Sequence, residues 1–150
     1  MNAYNGIKKM NNTEKINLDG THLMLDCFGC DANTLSNKQI ITDFLANLPK
    51  LLGMHRLIDP IVIEYTGGDT WDKGGITGMV FIAESHVSIH TFPCDGFYTA
   101  DVYSCKPFDC ELAISIFKNT FHQTSQKINV VKRDIVVVRE KNLQKLGLLK

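Results

Sequence analysis

The side chains best suited to chemistry lie in one decapeptide, Glu84-Ser85-His86-Val87-Ser88-Ile89-His90-Thr91-Phe92-Pro93. Serine hydroxyls and imidazoles can act as nucleophiles and as general bases near neutral pH. A buried strand seldom carries so many polar groups, because each one needs a hydrogen-bond partner. The plainer interpretation is a strand with one solvated face, since His86, Ser88 and His90 point the same way when side chains alternate. Spacing alone favours that plainer interpretation.

Three further segments change the balance. Residues 26–31 (Asp-Cys-Phe-Gly-Cys-Asp) are similar to an aromatic-Gly-Cys-Asp segment, and residues 75–78 (Gly-Ile-Thr-Gly) to a Gly-x-Ser/Thr-Gly run. Residues 101–109 (Asp-Val-Tyr-Ser-Cys-Lys-Pro-Phe-Asp) are similar to a catalytic-cysteine segment. Together with the decapeptide, the chain from about Gly20 to Phe121 resembles the short, bacterial and archaeal type of S-adenosylmethionine decarboxylase.

The resemblance implies a proenzyme that breaks its own Glu84–Ser85 peptide bond without hydrolysis. The Ser85 hydroxyl attacks the Glu84 carbonyl, and elimination from the resulting ester, followed by loss of ammonia, leaves a pyruvoyl group at residue 85. Serine suits this reaction because its oxygen is first a nucleophile and then a leaving group. The resemblance makes His90 the proton acceptor in processing and gives Thr77 an assisting role.

The same resemblance implies a cofactor and a reaction. The covalent pyruvoyl group derived from Ser85 forms a Schiff base with the substrate amine and accepts electrons as carbon dioxide leaves, as pyridoxal phosphate does elsewhere. Cys105 is implied as the proton donor to the decarboxylated carbon. We expect no separate organic cofactor and no metal. The expected product is decarboxylated S-adenosylmethionine, the aminopropyl donor in spermidine biosynthesis.

Substrate choice is less constrained. Trp71, the only tryptophan, precedes the processing strand, where the family has an aromatic residue that stacks on adenine, and a sulfonium also favours an aromatic face. Trp71 could equally be a loop anchor. Decarboxylation of another amino acid, such as arginine or ornithine, is the alternative. A non-catalytic partner that regulates an active homologue is a third hypothesis, disfavoured by the intact Ser85, His90 and Cys105.

Strand geometry raises one difficulty and offers one contact. In a straight strand Ser85 and His90 point to opposite faces, roughly 16 Å apart at about 3.3 Å per residue. Their contact would need a bulge near Ser85 or an approach from a neighbouring strand. A two-residue turn at Asp95-Gly96 would place Cys105 opposite His86, and a slip of one residue would place it opposite Ser85.

The bulk properties exclude several classes of protein. The chain has 150 residues, 16 basic and 16 acidic, so no basic excess points to nucleic acid. It lacks an apolar signal segment near its start, and five cysteines are an odd number, so we expect free thiols in the cytoplasm. Cys27-x-x-Cys30 could indicate zinc or redox chemistry, but no second ligand pair has the spacing that zinc needs. A redox motif of this kind would open a helix, whereas residues 31–34 predict a loop.

Hydrophobic periodicity predicts the order β-α-β-β-β-β-α-β, with helices capped by Ser36 and Asp109. It also predicts a loop over Gly67–Gly78 and a strand over Phe97–Ser104. This order indicates an α+β fold, a two-layer sandwich of a mostly antiparallel sheet with two helices on one face. We expect residues 1–19 to be a flexible arm and residues 20–150 a single decarboxylase domain. Self-cleavage would divide the chain into a β chain (1–84) and an α chain (85–150). The resemblance also implies a dimer of processed protomers, with two chains of each kind.

Overall fold

The structure, a computed structural model, describes residues 13–68 and 70–140. Within these ranges the strands are β1 (Thr13–Phe28), β2 (Ile61–Tyr65), β3 (Gly75–Ile82), β4 (Ser85–Phe92), β5 (Phe97–Ser104) and β6 (Ser125–Glu140). The helices are α1 (Ala32–Leu35), α2 (Lys38–Leu51) and α3 (Cys110–Phe121), and a short 3₁₀ turn spans Pro93–Asp95. In the part that is described, the strands form one sheet in the order β2-β3-β4-β5-β1-β6. None of the helices there is long and apolar enough to span a membrane.

The chain divides into two compact units. The larger is Asp19–Arg133, and the other combines Met1–Leu18 with Asp134–Lys150. Of the second unit, the described residues are 13–18 and 134–140, which belong to β1 and β6. Part of the expected arm, residues 13–19, is therefore strand, and residues 1–12 lie outside the described residues. The single domain over residues 20–150 and its division at 84/85 stay predictions.

The larger unit is a sheet covered by helices, which confirms the predicted α+β sandwich. Paired strands from β2 to β1 run antiparallel. The apolar stripes of α2 and α3 are buried against the inner sheet residues; the fully enclosed members include Ile41, Leu45, Leu48, Phe117, Phe121, Leu23, Val80, Val87, Ile89 and Val102. The central strands β4 and β5 thus rest on packed helices.

Two glycines of β3 allow neighbouring elements to approach it closely. A Cβ at Gly78 would lie 2.6 Å from Leu45 Cδ1, so any larger residue here would require the Leu45 side chain to shift. A Cβ at Gly75 would overlap the carbonyl of Thr91 on β4. The Gly-Ile-Thr-Gly segment belongs to β3, so the predicted loop ends before residue 75 and not at residue 78. Its glycines meet close neighbours, and Ile76 is buried.

The helix starts differ from expectation in two places. Residues 31–34 were expected to be a loop, but Ala32–Leu35 is one helical turn, capped by Asp31. The predicted cap of the next helix, Ser36, is wrong. Asn37 caps α2 instead, accepting hydrogen bonds from the amides of Gln39 and Ile40. Ser36 is the C-cap of α1. Because Ser36 and Asn37 can both cap a helix, packing in the folded protein decides which of them caps α2. Asp109 caps α3 as predicted.

Candidate active site

The Glu84–Ser85 bond lies in the tight turn that joins β3 to β4. Ile82 pairs with Ser85 across this hairpin, so Ala83 and Glu84 form the turn. Ser85 has a φ of 148°, a conformation that residues with a Cβ rarely adopt. Strain of this kind persists only where the surroundings enforce it, and it is concentrated at functional sites. No local sequence pattern predicts this strained residue.

A backbone amide points at the carbonyl of this bond. Cys105 N–H donates to Glu84 O at 2.8 Å. Such a donor would stabilise negative charge on that oxygen if a nucleophile added to the carbonyl. Ser85 itself is paired with Ser104 on β5. The contact between Cys105 and the 84/85 bond is therefore made by the main chain of Cys105.

This register corrects the predicted hairpin between β4 and β5. Phe92 pairs with Phe97, so the connection is Pro93–Gly96 and not the two-residue turn Asp95-Gly96. Pro93 has no N–H to donate to a strand ladder, and it begins a 3₁₀ turn instead. Cys105 is consequently opposite neither His86 nor Ser85. It lies one residue beyond the Ser85–Ser104 pair, level with Glu84.

The carboxylate of Glu84 is buried and held by a histidine. Its side chain is 5% exposed, and one oxygen accepts from His55 N at 3.0 Å while the other is 2.9 Å from His55 Nδ1. Lys106 Nζ lies 3.9 Å away. Burial pushes the pKa of Glu84 upward, but the hydrogen bonds from the His55 ring and backbone outweigh it, so that the pKa is lowered.

His90 lies near the other end of β4 and has a different partner. It pairs with Thr77 on β3, and Thr77 Oγ1 is 3.2 Å from His90 Nδ1. A hydroxyl in this position can fix the ring's orientation and the nitrogen that carries its proton. The structure therefore brings Thr77 and His90 together, as a pair of potential proton-transfer groups.

Ser85 and His90 do not meet within the described chain. The β4 ladder is paired from Ser85 to Phe92 with β5, and from Ser85 to His90 with β3. This continuous pairing leaves no bulge to shorten the roughly 16 Å that separate the two residues in a strand. The neighbouring residues of Ser85 on both sides, Ile82 and Ser104, carry no imidazole.

Open space adjoins the His90 end. A cavity of about 230 Å³ is lined by residues of β3 and β4 and of the segment that joins β2 to β3: Tyr65, Asp72, Gly74, Gly75, Thr77, His90, Thr91 and Phe92. Trp71 lies between β2 and β3 and is 92% exposed, but it is not among the residues that line this cavity.

Comparison with known proteins identifies the family. Residues 21–134 match the family described as S-adenosylmethionine decarboxylase. The chain belongs to the S-adenosylmethionine decarboxylase family. This confirms the resemblance found in the sequence, and the match covers β3, β4 and β5 entirely.

Individual members of the S-adenosylmethionine decarboxylase family show how close the similarity is. The chain is 29% identical over 126 residues to the S-adenosylmethionine decarboxylase proenzyme of Shouchella clausii, covering 83% of this chain and 92% of that one. It is 31% identical over 94 residues to an arginine decarboxylase proenzyme of Caldivirga maquilingensis, covering 60% and 67%. The crystal structure of the adenosylmethionine decarboxylase from Aquifex aeolicus superposes with a TM-score of 0.67 at 27% identity, covering 80% of this chain and 94% of that one.

His86, the other imidazole of the decapeptide, has a packing role in this member of the S-adenosylmethionine decarboxylase family. Its ring makes an edge contact with Tyr103, with centroids 5.7 Å apart. Tyr103 also lies 5.5 Å from the His22 ring and under the Arg133 guanidinium at 4.7 Å. His86 is thus adjacent to Ser85 in sequence, but its ring packs in an aromatic and cationic cluster on the sheet.

Cys27 and Cys30 do not have the surroundings of reactive thiols. Cys27 is buried inside β1, and burial raises its pKa although the Tyr98 side chain opposes this. Burial, with the charge of Cys27 adding to it, raises the pKa of Cys30 to about 11. Reactive thiols have lowered pKa values. The helical turn at Ala32–Leu35 removes the argument that a loop follows this pair, but the raised pKa values of both thiols do not favour a redox role.

Sequence reasoning missed His55 altogether. Its contacts with Glu84 span 29 positions, and nothing in the spacing of the decapeptide points so far upstream. A lone histidine in a connecting segment has no periodic pattern to identify it. Lys106 was noted only as part of the segment around Cys105, although its ammonium lies near the same carboxylate.

Proposed function

We propose that this chain is a proenzyme that cleaves itself between Glu84 and Ser85 and then decarboxylates S-adenosylmethionine. One observation carries the proposal of cleavage: the strained Ser85 follows a carbonyl that already accepts a hydrogen bond from Cys105 N–H. Membership of a family whose relatives are named decarboxylase proenzymes supports it. The substrate is proposed from the relatives that the chain matches over most of its length.

In the proposed processing, the Ser85 hydroxyl attacks the Glu84 carbonyl carbon and the acyl group moves from nitrogen to oxygen. Negative charge develops on the Glu84 carbonyl oxygen, where Cys105 N–H is placed to stabilise it. Elimination from the ester then needs a base for the Cα proton, and we assign His90 to that role. Thr77 would orient the His90 ring through its hydroxyl.

Ser85 would hold the pyruvoyl group, which supplies the electron-accepting carbonyl that decarboxylation requires. The residues present fit this group, because Ser85 is intact and its backbone is held in a strained turn. We assign the Cys105 thiol the donation of a proton to the decarboxylated carbon of the substrate. Its main chain is fixed beside residue 84, and its side chain is partly exposed.

The distance between Ser85 and His90 favours a dimer in which the two residues come from different copies. Within one chain their strand is continuous, so His90 would have to cross roughly 16 Å to serve its own Ser85. A second copy can supply His90 and Thr77 without distorting β4. We therefore propose a dimer of processed protomers with two α and two β chains. A cytoplasmic location remains a prediction.

The relative from Caldivirga maquilingensis keeps arginine as a second candidate substrate. Trp71 favours the first candidate, because an exposed indole can stack on adenine and attract a sulfonium. The deciding experiment supplies the purified, processed protein with S-adenosylmethionine, arginine or ornithine and follows carbon dioxide release. We expect release from S-adenosylmethionine alone. Release from arginine alone would support the second candidate and overturn the first.

A further inference from the structure

We propose that His55 is a positioning residue for self-cleavage, holding the Glu84 side chain so that the Glu84–Ser85 bond stays in its strained, reactive geometry. The inference rests on the proposed self-cleavage and adds a residue outside the decapeptide. The juxtaposition that carries it is the double contact of His55, through backbone and ring, with both oxygens of one buried carboxylate.

His55 contacts both residues of the turn. Its carbonyl accepts a hydrogen bond from Ala83 N–H at 2.8 Å. Its own N–H and its Nδ1 contact the two Glu84 carboxylate oxygens at 3.0 and 2.9 Å. A carboxylate accepting two such bonds is fixed in both position and rotation. His55 therefore determines where the Glu84 side chain lies relative to the turn.

His55 is itself anchored to β3. Leu57 N–H donates to Phe81 O at 3.0 Å, and Arg56 forms an isolated bridge with Ile82. The segment that carries His55 thus pairs with the last residues of β3, immediately before the turn. A group attached to a rigid element positions its partner more accurately than one on a free loop.

Glu84 is consequently held at two points. Cys105 N–H binds its carbonyl and His55 binds its carboxylate. Strained backbone at Ser85 is maintained only while surrounding contacts oppose its relaxation. Releasing the carboxylate frees the Glu84 side chain to rotate, and the turn can then relax away from the geometry that favours attack by Ser85.

Core packing does not account for the His55 ring. The side chain is 78% exposed, whereas Glu84 is 5% exposed. A buried carboxylate needs hydrogen bonds to offset its lost hydration. The exposed ring therefore has its main effect through Glu84, which separates a positioning role from a general contribution to the fold.

The test compares two variants of nearly equal shape, His55→Asn and His55→Leu. Asn keeps a nitrogen donor at the δ position, and Leu places a methyl group there. Cleavage of freshly made chain is followed by intact mass. A hydrogen bond to a charged group is worth roughly tenfold or more. We expect His55→Leu to cleave about 10-fold slower or worse and His55→Asn to stay within about threefold of wild type. Equal rates for wild type and His55→Leu would overturn the inference.

A second measurement separates positioning from simple destabilisation. His55→Leu is repeated in a Glu84→Ala background, where residue 84 has no carboxylate for the His55 ring to hold. There we expect His55→Leu to slow cleavage by less than about twofold. An undiminished effect there would contradict the inference, because it would not run through Glu84. If Glu84→Ala alone leaves the chain uncut, the comparison of cleavage rates in His55→Leu and His55→Asn decides whether His55 positions Glu84.

The neighbouring substitution Arg56→Ala is the matched control. The Arg56 side chain pairs with Asp59 and not with Glu84, so we expect cleavage at the wild-type rate. A wild-type chain that never divides at 84/85 would overturn the proposed function. A wild-type chain that divides, with His55→Leu equally fast, would overturn the role of His55 alone.

Discussion

The two ends of β4 differ in what they hold. At the Ser85 end lie a strained residue, a carbonyl bonded to the Cys105 amide and a buried carboxylate bonded to His55. At the His90 end lie a histidine–threonine pair in a more exposed setting and a cavity of about 230 Å³. In the proposed reaction, the first end holds the bond that is cleaved, whereas the second supplies the base and room for a ligand.

Under the proposed function, one strand supplies two halves of a site that do not meet within the same chain. The decapeptide reads as a single motif in sequence, yet its serine and its second histidine are five positions apart on a continuous strand. Nearness in sequence therefore does not imply contact. In the proposed dimer, the two ends of β4 come together from different copies.

The largest effect on cleavage at the Ser85 end is expected from Ser85→Ala. Alanine has no hydroxyl to attack the Glu84 carbonyl, so we expect no cleavage at 84/85, and intact mass should show one chain after long incubation. Ser88→Ala is the matched control, because Ser88 lies on the same strand away from the turn. A divided Ser85→Ala chain would remove Ser85 from the reaction.

The next test asks whether His90 of one copy acts on Ser85 of another copy. His90→Ala alone should cleave roughly 10²- to 10⁴-fold slower, the usual cost of losing a general base. Co-expressed with a mass-tagged Ser85→Ala chain, the His90→Ala chain should be cut, because its Ser85 can use the partner's intact histidine.

Two outcomes bear on that prediction. If the His90→Ala chain stays uncut in the mixture although mixed dimers are isolated, His90 acts within its own chain or in another way. If His90→Ala cleaves at the wild-type rate alone, the base is elsewhere. His86→Ala would then be the next variant to measure, since His86 is adjacent to Ser85.

Cys105→Ala distinguishes processing from turnover at the Ser85 end. The substitution keeps the backbone N–H that binds Glu84 O, so the chain should still cleave. Decarboxylation should fall about 10²- to 10⁴-fold, because the proposed proton donor is lost. Carbon dioxide release from the cleaved variant measures this. Cys110→Ala is the control thiol, and full lasting activity in Cys105→Ala would leave that residue with a packing role only.

A smaller effect concerns stability at the same end. The lowered pKa of Glu84 means that its contribution is present above the usual carboxyl value of 4.5 and is lost as pH falls through the lowered value. In uncut Ser85→Ala chain, adding His55→Leu should cost about 1 kcal/mol near neutral pH. Urea unfolding from pH 7 to pH 3 measures it. A cost that stays constant over this range would contradict the predicted linkage.

The smallest expected effect belongs to the loop beside the His90 end. Trp71→Ala should raise KM for S-adenosylmethionine about two- to fivefold, the size of an exposed cation–π contact. Trp71→Phe should restore most of the affinity because it keeps an aromatic face. Self-cleavage should proceed at the wild-type rate in both. An unchanged KM in Trp71→Ala would leave Trp71 as a loop residue without a part in binding.

Local patterns predicted much of the fold because the elements concerned are defined by nearby residues. β5 has the predicted bounds, Phe97–Ser104, since its side chains alternate between buried and half-buried positions. The start of α3 follows from the Asp109 cap. The helix at Ala32–Leu35 was missed because a single turn is too short to show a helical period.

The candidate site was harder to predict, because its geometry depends on long-range pairing. The decapeptide and Cys105 could be picked out by side-chain type and by family resemblance. The φ of Ser85, the register set by Pro93 and the contact of His55 with Glu84 depend on which strands and segments lie side by side. Residue types alone do not encode those distances.

The position of the 84/85 bond in a turn has a consequence for how the protein folds before cleavage and refolds after it. Cleavage there affects only the end of the β3–β4 ladder, so the pairs from His86 onward can keep β3 and β4 neighbours although they then belong to separate polypeptides. Before the cut, these strands find each other within one molecule. After it, reassembly of an unfolded copy is a second-order encounter that depends on protein concentration. In the proposed processing, folding therefore precedes cleavage, and a cleaved molecule that unfolds in dilute solution refolds slowly because its two chains must first meet.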